Sequence, residues 1–388
     1  MEKKQNVPAL RFQGFSGEWE KTTVGKIFEV TRGETLAAPK TSPTQNPVMN
    51  YPVYSSQTKN NGLMGYYSEY LFENAITWTT DGANAGTVRF RKGKFYCTNV
   101  CGVLLSKQGY ANTFMAEALN KVAWKHVSKV GNPKLMNNVM KEISIHAPKT
   151  IDEQNELAEY IEKLDLNIFN RMQKIRKLQQ FRQAMLTKLF PWEGAAEPEL
   201  RFRGFSGKWK SCCLTDIATI NPPGELPETF NYVDLESVIG TEIVKYRRET
   251  KFSAPSRAQR VAEDNDVFYQ MVRPYQKNNC IFRGNDKTFV FSTGYAQLRP
   301  NCNSYFLLSL LQTEYFVGKV MELCTGTSFP AISASDLSRI PIYVPVMSEE
   351  NGAIGEYFQN LDSYISLQQK KLERMQRLKA ALLEKLFV

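Results

Sequence analysis

Residues 10–19 (LRFQGFSGEW) return as residues 200–209 (LRFRGFSGKW), identical at eight of ten positions. A second match carries Ile143 to Pro148 (ISIHAP) onto Ile340 to Pro345 (IPIYVP), an offset of 197. It continues without a gap. Glu153 falls on Glu350, Glu159-Tyr160 on Glu356-Tyr357, Leu164-Asp165 on Leu361-Asp362, and Lys188-Leu189-Phe190 on Lys385-Leu386-Phe387. Such self-similarity marks an internal repeat, so whatever the ends of one half fold into, the ends of the other must fold into as well. A chain of 388 residues is long enough to give each copy its own core. Between the matched ends the halves share little, which predicts a common frame around two dissimilar interiors with two different specificities.

The matched C-terminal stretches carry helix periodicity. Leu164, Ile168, Arg171, Ile175, Leu178, Arg182, Met185 and Leu189 step alternately by four and three, as do Leu361, Ile365, Gln368, Leu372, Met375, Lys379, Leu382 and Leu386. This is an a/d heptad seam with polar interruptions at matching places, and it predicts coiled-coil pairing. Helices of about 40 residues reach roughly 60 Å at 1.5 Å per residue, a length suited to a spacer. The competing reading is a pair of amphipathic helices, each packed on its own module. Charge order favours pairing. Asp152, Glu153, Glu156, Glu159, Glu162 and Asp165 come early in the first helix, and Arg171, Lys174, Arg176, Lys177, Arg182 and Lys188 late. The second helix runs likewise from Glu349, Glu350, Glu356 and Asp362 to Lys370, Lys371, Arg374, Arg377, Lys379 and Lys385. Part of this suits the helix dipole, but antiparallel pairing also sets each acidic half beside a basic one. The expected chain is therefore mixed α/β and pseudo-twofold. It divides into modules at 1–150 and 191–347 and antiparallel helices at 151–190 and 348–388, with Pro191 stopping the first helix.

Hydrophobic residues at 42% and charged residues at 23% describe a globular chain, neither disordered nor membranous. No apolar run follows the N-terminal lysines and none approaches the length of a membrane span, so a cytoplasmic protein is expected. Seven cysteines, an odd count without paired CxxC spacing, point to reduced thiols rather than zinc or disulfides. Within the interiors, residues 75–78, 100–105 and 289–291 look like strands, and residues 116–124 and 305–323 look helical.

The formal charge is +10, of which the two helical stretches carry only +1, so the basic surplus sits on the modules and linkers. It fits an anionic partner such as nucleic acid; scattered solvating lysines are the competing reading. In the first module, polar loop-like stretches supply Lys59, Asn60, Asn61, Tyr66, Asp81 and Asn84, followed by Arg89, Arg91 and Lys92. In the second they supply Ser256, Arg257, Arg260, Arg273, Tyr275, Lys277, Asn278 and Thr293. Amide and guanidinium groups are what bidentate contacts to adenine and guanine edges require. For each residue alone a solvated turn is an equal alternative. Asn221-Pro222-Pro223-Gly224 approaches the N-P-P-aromatic motif of amino-methyltransferases, but glycine stands where the stacking aromatic belongs and no glycine-rich cofactor turn precedes it. His126 and His146 are the only histidines, and there is no GxxxxGK[ST], HExxH or GxSxG. No catalytic, cofactor-binding or metal residues are expected in this chain.

The LRFxGFSGxW starts, the EQNELAEYIEKLD and EENGAIGEYFQNLD helix openings and both KLF helix ends resemble the specificity subunits of type I restriction–modification enzymes. Inside the modules NNGLMGYY, TTDGANAGT, PSRAQR, VRPY and FSTGYAQLRP look like that family's target-recognition domains, of two sequence types. The second helix departs slightly, opening Glu-Glu-Asn and containing Gly352 and Gly355. The resemblance implies two target-recognition domains, each reading half of a split DNA target, joined by two antiparallel helices. It further implies two modification subunits that bring S-adenosylmethionine and methylate adenine N6. ATP-driven, Mg2+-dependent restriction subunits would complete the complex. A coiled-coil adaptor for proteins and a self-contained DNA methyltransferase are the alternative functions.

Overall fold

The computed structural model describes residues 6–56, 59–192, 194–284 and 288–387. The chain forms two compact units, one made of residues up to Met172 together with those from Lys371 onward, the other of Gln173–Lys370. The sequence division at 150, 190 and 347 follows element boundaries; the compact units cut across it. Each long helix, Ile151–Leu189 and Ser348–Leu386, gives its first part to one unit and its last part to the other.

The first unit holds a six-stranded sheet in the order Glu29–Arg32, Cys101–Leu105, Phe72–Thr79, Val88–Cys97, Tyr51–Tyr54, Leu63–Tyr67. The only parallel pairing in it is between Tyr51–Tyr54 and Val88–Cys97. Phe72–Thr79 is buried along its last five residues, as a central strand covered on both faces must be. Trp78 lies so close to Gly102 that a Cβ there would fall 2.1 Å from the indole, which fixes glycine at that position. Helix Thr113–Ala123 starts where the Asn112 side chain accepts the Met115 amide at 3.0 Å, and it packs Phe114, Met115 and Leu119 into the core.

The second unit has one sheet ordered Ala218–Ile220, Tyr295–Pro300, Val267–Gln270, Cys280–Ile281, and another ordered Arg247–Thr250, Thr229–Val233, Phe289–Ser292, Ala258–Val261. The single helix expected over 305–323 is two, Ser304–Leu311 and Glu314–Leu323. The break comes at Thr313, whose hydroxyl accepts the Phe316 amide at 3.2 Å and caps the second helix. The interiors share more than their sequences do. Ala218–Ile220, Tyr295–Pro300 and Val267–Gln270 repeat the antiparallel order of Glu29–Arg32, Cys101–Leu105 and Phe72–Thr79. The interiors still differ, one six-stranded sheet against two four-stranded ones, but they keep a common three-stranded centre, because a core constrains volume and patterning far more than residue identity.

The frame is duplicated contact by contact. Strand Glu20–Thr23 pairs with Ser144–Ala147, and Lys210–Cys213 with Pro341–Val344. Arg11 makes a two-pronged bond to buried Glu153 (2.7 and 2.7 Å), and Arg201 does the same to Glu350 (2.6 and 2.7 Å). The third guanidinium nitrogen of each bonds to the Gly17 or Gly207 carbonyl. The repeated arginine of the LRF motif is therefore an anchor between the frame's start and the foot of its helix. Phe12 meets Tyr160 edge-on at 5.5 Å, and Phe202 meets Tyr357 at 5.6 Å.

Helix ends close the units. In the first, Leu386 joins the core beside Leu157 and Ile161, Phe387 lies 5.2 Å from Phe114, and the Lys385 carbonyl accepts the Leu10 amide at 3.2 Å. In the second, Leu189 and Phe190 join Ile354 and Phe358, Phe190 lies 5.6 Å from Phe306, and the Lys188 carbonyl accepts the Leu200 amide at 2.8 Å. Within each unit the two helix stretches run antiparallel. Late Lys379 reaches early Asp165 at 2.6 Å and Glu117 at 3.4 Å, and late Arg182 pairs with early Asp362. The polar seam positions 182 and 379 thus hold matched ion pairs. The apolar seam residues Leu164, Ile168, Ile175, Leu178, Met185, Leu361, Ile365, Leu372, Met375 and Leu382 are all buried or half-buried. All seven cysteines are free thiols.

Candidate nucleic-acid interface

In the first unit three loops converge at the end of strand Phe72–Thr79. The Thr80 amide and hydroxyl both donate to the Val100 carbonyl, at 3.1 and 2.9 Å. The Leu135 amide donates to the Thr80 carbonyl at 2.8 Å, and the Gly82 amide to the Pro133 carbonyl at 2.9 Å. Ser55 accepts from the Thr98 hydroxyl at 3.0 Å, and its amide donates to Gly62, tying in the turn Lys59–Gly62. Asn60, Asn61 and Gly62 are successive left-handed residues (φ 51°, 57° and 82°), a conformation asparagine tolerates better than other side chains. Asn60 and Asn61 are exposed and Gly62 is buried.

The predicted contacts fall into groups. Asn61, Arg89 and Arg91 line one groove that Glu117 and Glu162 also line. Arg91 is committed to the fold: its guanidinium lies 3.7 Å over the Tyr54 ring, its Nε donates to Thr77 at 3.1 Å, and burial lowers its pKa. Lys92 faces Glu162 at 3.8 Å. Asp81 faces Lys134 at 3.6 Å and lies 2.7 Å from the Thr80 hydroxyl oxygen, whose one proton is shared between this carboxylate and the Val100 carbonyl. The Asn84 carbonyl closes the turn to Thr87, and half-buried Tyr66 exchanges backbone hydrogen bonds with Ser42. Asn60 and Arg89 are exposed; the Lys59 side chain lies outside the described residues.

In the second unit a backbone relay gathers the candidates. The Arg257 carbonyl accepts the Thr293 amide (2.8 Å), that of Gly294 accepts Met271 (2.9 Å), that of Met271 accepts Ile332 (3.1 Å), and that of Pro330 accepts Arg273 (2.7 Å). Arg273 and Lys277, at φ 54° and 56°, flank the turn Pro274–Gln276, which presents half-exposed Tyr275. Arg273 stacks 4.2 Å over the exposed Phe329 ring. Lys277 and Asn278 hold the turn instead of projecting from it. The Lys277 ammonium donates to the Gln312 carbonyl (3.0 Å) and Glu314 (2.7 Å), and the Asn278 side chain accepts the Gly240 amide (2.9 Å). Half-buried Arg260 has its pKa lowered by burial, whereas Ser256 and Arg257 are exposed.

The two edges are built alike. Gly82 to Pro133 matches Arg273 to Pro330, Leu135 to Thr80 matches Ile332 to Met271, and the reciprocal pair Ser128–Lys134 matches Thr325–Ala331. Sequence reasoning missed the loops 128–134 and 325–331 that pin these edges; Pro133 and Pro330, at the frame's own offset of 197, were the available signal. Asn221 is structural. Left-handed at φ 52°, it accepts the Gln297 amide at 3.0 Å and donates its own amide to the Gln297 carbonyl at 2.7 Å. Among the described residues there is no cluster of three metal-ligating side chains and no helix long and apolar enough to cross a membrane.

A family model described as a type I restriction modification DNA specificity domain matches residues 16–180 and again 207–377. A Mycoplasma pneumoniae sequence assigned as a type I specificity subunit N-terminus is 40% identical over 122 residues, 31% of this chain and 64% of that one. The MpnII specificity subunit of the same organism is 37% identical over 141 residues, 36% of this chain and 42% of its own. The chain thus spans less than two thirds of the length of these relatives. The MjaVIII specificity subunit of Methanocaldococcus jannaschii is 22% identical across 97% of this chain and 94% of its own. The fold matches the crystal structure of a type I S subunit from M. genitalium with a TM-score of 0.68 at 18% identity, over 98% of this chain and 99% of that one. A chain from a structural study of type I R-M assembly matches at 0.53 and 17%, over 95% and 97%.

Proposed function

The chain belongs to the type I restriction modification DNA specificity family, whose domain it carries twice, and we propose on that premise that it is the sequence-reading subunit of a type I restriction–modification complex. Each unit reads one half of a bipartite duplex target. The observation that carries this is the pair of equivalent edges. Residues 80–87 and 271–279 leave equivalent strands, Phe72–Thr79 and Val267–Gln270, and are pinned by equivalent hydrogen bonds, yet they carry different side chains. A shared geometry with unlike amide and guanidinium groups is what two different half-sites need.

The chain itself is non-catalytic in this reading. Two modification subunits supply S-adenosylmethionine and methylate adenine N6, and restriction subunits supply ATP- and Mg2+-dependent translocation and cleavage, all in the cytoplasm. The long helices dock the modification subunits and set the unread spacer, on the scale of one duplex turn, roughly 34 Å. The test is to exchange residues 20–140 for those of a relative and sequence the methylated adenines of the host. One half of the recognition sequence changes and the other stays; a change in both halves overturns the assignment of one unit to one half-site.

A further inference from the structure

Residues 121–134 (KVAWKHVSKVGNPK) carry four lysines, a histidine and no carboxylate, and none of them is among the candidate contacts above. We propose that this segment is a DNA-phosphate contact belonging to the first unit alone, an inference that rests on the chain binding duplex DNA.

The segment begins in the last turn of helix Thr113–Ala123, passes through the short turn Trp124–His126 and ends in the loop that pins the reading edge. Lys121, Lys125, Lys129 and Lys134 are all exposed. Lys134 faces Asp81, but Lys121, Lys125 and Lys129 have no carboxylate partner among the described residues. The segment is seated on the turn 84–87. A Cβ on Gly86 would lie 2.8 Å from a Val127 methyl and 3.2 Å from the Trp124 Cα, so the lysines border the loop offered to bases. Trp124 is 56% exposed, its N–H is given to the Lys121 carbonyl at 3.1 Å, and the Lys125 ammonium lies 5.9 Å from its ring centroid.

The repeat separates function from scaffold. At the offset of 197 the four lysines fall on Gly318, Glu322, Gly326 and Ala331. The second unit forms the same Thr325–Ala331 bridge and the same amide bond to Pro330 without any of them. The pinning bonds therefore do not require the lysines, and the lysines are not solvating a surface that every copy must solvate; Lys121 alone also meets a ring of its unit, its ammonium 5.5 Å from the Phe387 centroid. A duplex presents one phosphate charge about every 1.7 Å of axis, so a compact loop of lysines meets a dense, regular row of anions. Phosphate contacts beside a reading loop fix its register. In the second unit the neighbouring feature is instead the Arg273–Phe329 stack.

The experiment uses the complex assembled with its modification subunits and the triple variant K121Q/K125Q/K129Q, leaving Lys134 in place. Affinity for target duplex is measured across a salt series, and methylated adenines are sequenced. Three lost contacts lower the slope of log K against log salt by about 2.7, at roughly 0.9 each, while the methylated sequence stays the same. An unchanged slope overturns the proposal, including the case in which only assembly suffers, which would mark an acidic protein partner. An altered target sequence with an unchanged slope also overturns it. If the triple variant does not fold, Lys129→Gln alone, in a loop, lowers the slope by about 0.9. Lys319→Gln in the second unit leaves it unchanged; a comparable fall there overturns the asymmetry. A wild-type complex that neither binds duplex DNA in a salt-dependent way nor methylates it sinks the functional assignment itself.

Discussion

Arg273 occupies in its unit the place that Gly82 occupies in the other: each donates its amide to the proline of the pinning loop, and each has a positive φ, at 54° and 94°. Glycine adopts that conformation freely, whereas other residues lose about 1–2 kcal/mol. An arginine kept there against its backbone preference, with its guanidinium over an exposed phenylalanine, is held for its side chain. Arg273→Gly should therefore leave stability level or raise it by up to about 1 kcal/mol, the gain being offset partly by glycine's extra chain entropy. The same variant should relax one position of the half-site read by the second unit. Thermal unfolding and methylated-adenine sequencing together check this, and a destabilised variant with an intact target would show that Arg273 is structural. Asn60 and Asn61 were legible in sequence as turn residues because asparagine advertises left-handed backbone. Arg91 was not legible as a fold residue. Only the tertiary approach of Tyr54 and Thr77 turned one arginine of a basic run inward and left Arg89 outside.

The long helices were the most legible elements, since alternating steps of four and three sustained from Leu164 to Leu189 fit a helix seam and little else. Their packing was less so. The a/d seam alone suits a spacer standing clear of the modules, yet both helix ends are core of the unit they enter. Phe190 is 4% exposed among Trp209, Phe306 and Phe358, whereas its repeat partner Phe387 is only half-buried against Phe114. Phe190→Ala should cost about 3–5 kcal/mol and Phe387→Ala clearly less, as read by urea unfolding of the purified chain. Equal losses would mean that the two ends are packed alike. The break at Thr313 did leave a signal that the periodicity reading passed over: Gln312-Thr313-Glu314 interrupts the apolar run with an N-cap residue followed by a first-turn carboxylate.

The whole molecule closes its first unit with its last residues. Leu382, Leu383, Leu386 and Phe387 pack against the core that contains Phe114, Leu157 and Ile161, more than 200 positions earlier in the chain. The second unit, Gln173–Lys370, is continuous. Ending the chain at Lys370 should therefore raise amide exchange across strands Phe72–Thr79 and Cys101–Leu105 and leave Val267–Gln270 and Tyr295–Pro300 protected. Hydrogen exchange followed by mass spectrometry distinguishes these strands, and equal deprotection of both units would contradict the division.

By itself the sequence determined the duplication, the helix lengths, the antiparallel charge order and, through motif resemblance, the family. Each of these is written in local spacing or in identity between the halves, and neither needs a folded chain to be seen. Tertiary structure decided that the diverged interiors share a three-stranded centre, that loops 128–134 and 325–331 pin equivalent loops beside it, and which basic side chains face outward. Those outcomes depend on which distant groups approach one another. Backbone hydrogen bonds accept almost any residue, and a cation's role is set by what lies opposite it, so neither leaves a pattern along the chain.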